Sequence, residues 1–135
     1  AREIDVSLFI DPGRDQLEAA RESGATIVEL HTGRYANART PAARRREREA
    51  IRAAAKQGRS LGLIIAAGHG LDYDNIGAIA EMPEIEEVNI GFSIITRALS
   101  VGLAAAVNEM VRLLERPIAK LTAGRRQERY AREAA

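Results

Sequence analysis

The sequence predicts an α/β domain of four strand–helix units with parallel strands, and two observations carry that expectation. Four short segments are apolar, rich in β-branched residues and closed by glycine or polar punctuation: Val6 to Ile10, Thr26 to Leu30, Leu63 to Ala67 and Val88 to Ile90. Short apolar runs of this kind are the mark of strands buried in a parallel sheet. Each is followed by a stretch with helix caps or helical apolar spacing. Strand–helix alternation of this kind calls for right-handed crossovers between parallel strands. Four such units make either a small open sheet or half of an eight-stranded TIM (β/α)8 barrel.

The helices follow in order. Asp11 and Pro12 open a helix over Gln16 to Ser23, which Gly24 ends. Thr40 as N-cap and Pro41 in the first turn start an alanine- and arginine-rich helix that runs to about Gln57 and stops at Gly58. Asp74 caps a short helix carrying Ile76, Ile79 and Ala80, and Pro83 terminates it. Arg97 to Leu114 is expected as the longest helix, with Leu99, Leu103, Val107, Met110 and Leu114 on one stripe. The closing stretch RPIAKLTAGRRQERYAREAA carries the helix-breaking Pro117 and is dominated by charged residues and alanine, so it reads as a surface helix. The expected division is residues 1–116 for the four units and 117–135 for this tail.

Composition excludes several function classes. Twenty basic against 19 acidic residues leave a net charge of +1, so no large field draws the chain to nucleic acid or anionic lipid. With no cysteine there is no disulfide frame, thiolate nucleophile or cysteine-built zinc site, and two histidines offer little to a metal. No apolar run approaches the roughly 20 residues that span a bilayer, and a cytoplasmic protein is the simplest expectation. Arg44, Arg45, Arg46 and Arg48, like the tail, are interleaved with glutamates and lack aromatic platforms. They read as a solvated helix face and not as an RNA or phosphate patch.

Ligands of parallel α/β proteins sit at the carboxyl ends of the strands, and these ends carry the chemistry here. They read Asp11–Pro12, His31–Thr32–Gly33, Gly68–His69–Gly70 and Gly91–Phe92–Ser93. The period of two puts Ile27, Glu29 and His31 on one face of the second strand, so a carboxylate and an imidazole share a face near a strand end. They form either a proton-transfer pair or a structural pair satisfying each other. His69 lies between two glycines that let the backbone turn sharply, and imidazole is the side chain best poised to exchange a proton near neutral pH. Gly91 and Phe92 stand where a strand meets a helix, and backbone amides at a helix start suit a phosphate group.

The strings VSLFID, VELHTGRYA, AGHGLDYDN and EEVNIGFSIITRALSVGLAAAVNEM, in this order and spacing, resemble the pyridoxine 5'-phosphate synthase family over about residues 5 to 115. They correspond to the fifth to eighth strand–helix units of that family's barrel. The resemblance implies condensation of 3-amino-2-oxopropyl phosphate with 1-deoxy-D-xylulose 5-phosphate, with no metal or organic cofactor. It casts His69 as a proton donor, Glu29 as a transition-state stabiliser, Gly70 as a substrate contact, and Gly91 with Phe92 as the phosphate holders. Ala66 stands where many members carry asparagine, and Phe92 where several carry histidine. The family's first four strands supply further bases and much of the substrate site, so this half by itself is expected to be inactive. Phosphorylated small molecules are the implied partners, with a second copy or a complementary half-barrel. The alternative is a self-associating half-barrel that binds phosphate without catalysis.

Overall fold

Four parallel strands lie side by side in chain order, β1 (Ser7–Ile10), β2 (Ile27–His31), β3 (Ile64–Gly68) and β4 (Ile85–Asn89). They belong to a computed structural model that describes residues 4–115. The expected α/β class with parallel strands is found. Each strand neighbours the next with no reversal of order, the arrangement of a singly wound sheet, in contrast to the switch point of a doubly wound one.

The pleat of β2 and β3 sorts their residues as the period of two requires. Val28, Leu30, Ile65 and Ala67 are fully buried beneath α1 (Arg14–Glu22) and α3 (Pro41–Ser60), together with Leu17, Ile51 and Ala55 from those helices. Each fully buried Leu, Ile or Val side chain contributes about 1.5 to 3 kcal/mol. The opposite face carries Glu29, His31 and Ile64, with Phe9 of β1 56% exposed. Register then fixes the neighbours on that face. Phe9 pairs with Glu29 and Glu29 with Ala66, while His31 pairs with Gly68 and Gly68 with Asn89.

Several boundaries differ from expectation, each for a physical reason. β4 begins at Ile85 and includes Glu86 and Glu87, which an edge strand tolerates because their side chains are exposed. α3 starts at the expected Thr40 cap, whose hydroxyl accepts from the Ala43 amide at 3.1 Å. It runs through Gly58, however, to Ser60. A Cβ at Gly58 would lie 2.5 Å from Ile65 Cδ1, so this glycine lets the helix close on β3, and Gly62 at φ +80° follows the true end. Asp72 replaces Asp74 as the cap of the turn leading into α4 (Gly77–Ala80). Its Oδ1 accepts from the amides of Asp74 and Asn75, both at 2.9 Å.

The long helix expected over Arg97 to Leu114 is broken. α5 (Phe92–Val101) ends at Gly102, whose φ of +83° turns the chain, and residues 103–115 form a separate helical segment. The expected apolar stripe is therefore split. Met110 is buried, whereas Leu99 is 86% exposed and Leu103 and Val107 are also exposed. A short helix without a sequence signature, α2 (Gly33–Ala36), follows β2. The expected tail helix over 117–135 lies outside the described residues.

Candidate active site

All four strand ends open on one side of the sheet, and a pocket of about 1100 Å³ lies there. Glu29, His69, Gly70, Gly91 and Phe92, the five site residues read from the sequence, all line it. Phe9, Asn89, Ser93 and Arg97 join them.

Glu29 is positioned by two neighbours. The Asn89 side-chain amide donates to Glu29 Oε2 at 2.9 Å. Gly68 supplies the space, since a Cβ there would stand 2.0 Å from Glu29 Oε1. The carboxylate thus lies across the end of β3, beside the turn that carries His69.

His69 adopts φ +78°, the only non-glycine residue with positive φ among those described, and Gly70 follows at +77°. An L-residue takes this conformation only when its surroundings hold it. Thr32, fully buried, supplies that hold. Its amide donates to Gly68 O at 2.8 Å, and its hydroxyl lies 2.7 Å from both Gly68 O and His69 O. The His69 imidazole stacks obliquely on that of His31, with centroids 4.7 Å apart, and Phe9 meets His31 edge-on at 5.1 Å. His31 Nδ1 faces Asp11 Oδ1 at 3.4 Å. Gly33 makes room for both imidazoles, because a Cβ there would come within 3.0 Å of each. Phe9, Glu29, His31 and His69 thus bring a carboxylate and two imidazoles around an apolar ring, a setting able to move a proton on a small bound molecule.

The start of α5 faces the same pocket. No side chain caps it, and the first intrahelical bond runs from Ile95 N to Gly91 O at 3.0 Å. The amides of Phe92, Ser93 and Ile94 therefore have no intrahelical acceptor, as at any helix start, and are free to meet an anion. Gly91 has a negative φ and a Cβ there would touch nothing within 4 Å, so the turn does not demand glycine. Ser93 donates instead from its hydroxyl to Leu71 O at 2.9 Å, tying the helix start to the chain after His69. Arg97, one turn further, is held by Glu109 through contacts of 2.8 and 3.0 Å. Among the described residues, no three carboxylate or imidazole groups converge to hold a metal ion, and no helix is long and apolar enough to cross a membrane.

A sequence model of the family described as "Pyridoxal phosphate biosynthesis protein PdxJ" matches residues 1–116. The chain belongs to this family. It is 54% identical over 114 residues to a pyridoxine 5'-phosphate synthase of Trichlorobacter lovleyi, covering 84% of this chain and 48% of that protein. The synthase of Magnetococcus marinus is 51% identical over 115 residues, 85% of this chain and 47% of that one. That of Chlorobium phaeobacteroides is 52% identical over 112 residues, 83% and 48% respectively. The chain thus spans about half the length of the curated relatives it matches.

Phe9, Asn89 and Arg97 were absent from the site expected from sequence. Period-two counting puts Asn89 on one face with Glu87, but its pairing with Gly68 follows only from the register. Arg97, expected at the start of a long helix, lies instead in the second turn of α5 and lines the pocket.

Proposed function

We propose that this chain forms the fifth to eighth strand–helix units of a pyridoxine 5'-phosphate synthase barrel, with residues 1–116 making those units and 117–135 outside them. The reaction is condensation of 3-amino-2-oxopropyl phosphate with 1-deoxy-D-xylulose 5-phosphate in vitamin B6 biosynthesis, a cytoplasmic activity on phosphorylated small molecules. One observation carries the reading: Glu29, His69 and the free amides after Gly91 line a single pocket at the carboxyl ends of consecutive parallel strands. Active sites of barrel enzymes are built at that face, with phosphate commonly held after the last two strands.

In this reading His69 donates a proton to a leaving oxygen, and its left-handed turn aims the imidazole into the pocket. Glu29, fixed by Asn89, stabilises positive charge that develops on the amine-bearing substrate. The Gly70 backbone contacts substrate, and the amides following Gly91, that of Phe92 included, hold the product phosphate.

The outer strands β1 and β4 each have one unpaired edge, and Phe9 and Ile64 are exposed on the sheet face away from the helices. Uncovered edges and apolar side chains of this kind favour further strands packing there. A complementary half or a second copy meets that need. A second copy would give a self-associated, phosphate-binding half-barrel without turnover.

The test combines the purified 135-residue chain with the first four units of a full-length relative and follows pyridoxine 5'-phosphate formation, with mass measurement of each mixture. The chain alone should give no product and the complemented pair should give it. Failure of a formed complex to turn over, or robust turnover by the chain alone, would overturn the reading.

A further inference from the structure

A second cleft, of about 510 Å³, lies between α2 and the start of α3 and shares no lining residue with the strand-end pocket. Arg39, Arg44, Arg45 and Arg48 line it, with Tyr35 at its base and Thr40 at the helix cap. We infer that this cleft is an anion site for a small molecule carrying more than one phosphate charge.

Three observations carry the inference. The four guanidinium groups are poorly neutralised: among the described residues only Arg48 has a carboxylate within 4 Å, Glu49 at 3.2 Å, and Glu49 also serves Arg52 at 3.7 Å. Arg44 donates only to a backbone carbonyl, Ala38 O at 3.3 Å. Secondly, Arg48 Nε is buried with no hydrogen-bond partner among the described residues, a donor for which the folded chain provides no acceptor. Thirdly, the placement runs against helix electrostatics. The first turn of α3 holds no acidic residue, and arginines follow it immediately at the positive end of the dipole. Arg44 and Arg48 are also a like-charge pair four residues apart. Local rules broken without internal compensation mark sites that something else completes.

Guanidinium groups in a fork geometry match phosphate oxygens in pairs, and four of them suit a diphosphate or bisphosphate better than a single carboxylate. The cleft volume lies within the range of small-molecule sites. Burial pushes the Tyr35 hydroxyl above its usual range, and the charges of Arg44 and Arg48, which line the same cleft, act against that rise. The hydroxyl itself is engaged, donating to Asn75 O at 2.7 Å, so it shapes the floor without binding the anion.

The experiment titrates the 135-residue chain with inorganic pyrophosphate by calorimetry and follows thermal unfolding in parallel. Pyrophosphate should bind saturably, more tightly than orthophosphate, and raise Tm. The double variant Arg44→Gln, Arg45→Gln should weaken binding about tenfold or more, as loss of charge-assisted contacts requires. The same variant should unfold at a higher temperature than the parent without ligand, because repulsion at the helix start is relieved. Arg14→Gln, on α1 and outside both clefts, should leave pyrophosphate affinity unchanged. Absence of saturable binding, equal binding by the double variant, or an equal loss through Arg14→Gln would overturn the assignment. So would an RNA oligonucleotide that binds more tightly than pyrophosphate through the same arginines.

Discussion

The buried hydroxyl of Thr32 lies 2.7 Å from the carbonyl oxygen of His69 and so links the end of β2 to the one described non-glycine residue with positive φ. Replacing Thr32 by valine keeps the shape and removes the donor, leaving the Gly68 and His69 carbonyls without it. The expected loss is about 1 to 3 kcal/mol of stability. Thr32→Ser should recover most of it. Urea unfolding of the two variants checks this, and equal midpoints for parent and Thr32→Val would show that other contacts hold the His69 turn.

Gly68 is needed for space. A methyl group there would meet the end of the Glu29 side chain, which can swing away, and would stand 3.1 Å from the Asn89 carbonyl oxygen, so Gly68→Ala should fold at a modest cost in stability. The displaced carboxylate would forfeit its bond to Asn89. Turnover by a completed barrel should therefore fall by about 100-fold or more, the scale of losing one well-placed charged group. Stability and turnover measured on the same preparation separate the two effects.

Glu109 ties residues 103–115 to α5 through Arg97. Its hydrogen bond from Arg97 holds the carboxyl below the usual carboxylate range. A folded-state pKa lowered in this way contributes stability that is present above the unfolded value and lost as pH falls through the folded one. Both groups are exposed, so the effect is small and screened by salt. Fluorescence from a probe on the terminal segment should report loosening as pH falls below the usual carboxylate range, and Glu109→Gln should abolish that transition. A transition that persists in Glu109→Gln would assign it to another carboxylate.

Gly91→Val tests the phosphate anchor. The position has a negative φ and open space beyond its Cα, so the fold should survive with an unchanged Tm. The branched side chain would project where a phosphate approaches the Phe92 amide, and affinity for the product in a completed barrel should drop about tenfold. Phe92→His, which removes neither amide, should bind as the parent does. Unchanged binding by Gly91→Val would place the anchor elsewhere.

Much of the fold was legible because it follows from local rules. Apolar β-branched runs gave the strands, and Thr40 with Pro41 marked the start of α3 to the residue. The shared face of Glu29 and His31 followed from the pleat alone. What escaped depended on tertiary packing. Gly58 looks like a stop, but it continues a helix because Ile65 and Leu17 press against it. Gly102 sits inside an apolar period, yet it breaks the helix at a positive φ, and the stripe Leu99 to Leu114 is split between exposed and buried positions. The role of Asn89 depended on a register that includes an irregularity between Ile65 and Ala66, which no single-strand pattern reveals. The arginines after Thr40 read as a solvated face because the cleft beside them is made by α2, an element of four residues without a periodic signature.

Turnover by a completed barrel carrying His69→Asn, alongside its affinity for phosphate, tests the proton-donor role of His69 most directly. Asparagine keeps a polar side chain of similar reach and tolerates positive φ, but it does not titrate near neutral pH. If His69 is the proton donor, product formation should fall by about 100- to 10,000-fold while phosphate affinity and Tm stay near the parent's. Turnover close to that of the parent would rule out that role and leave His69 as a structural residue at the end of β3.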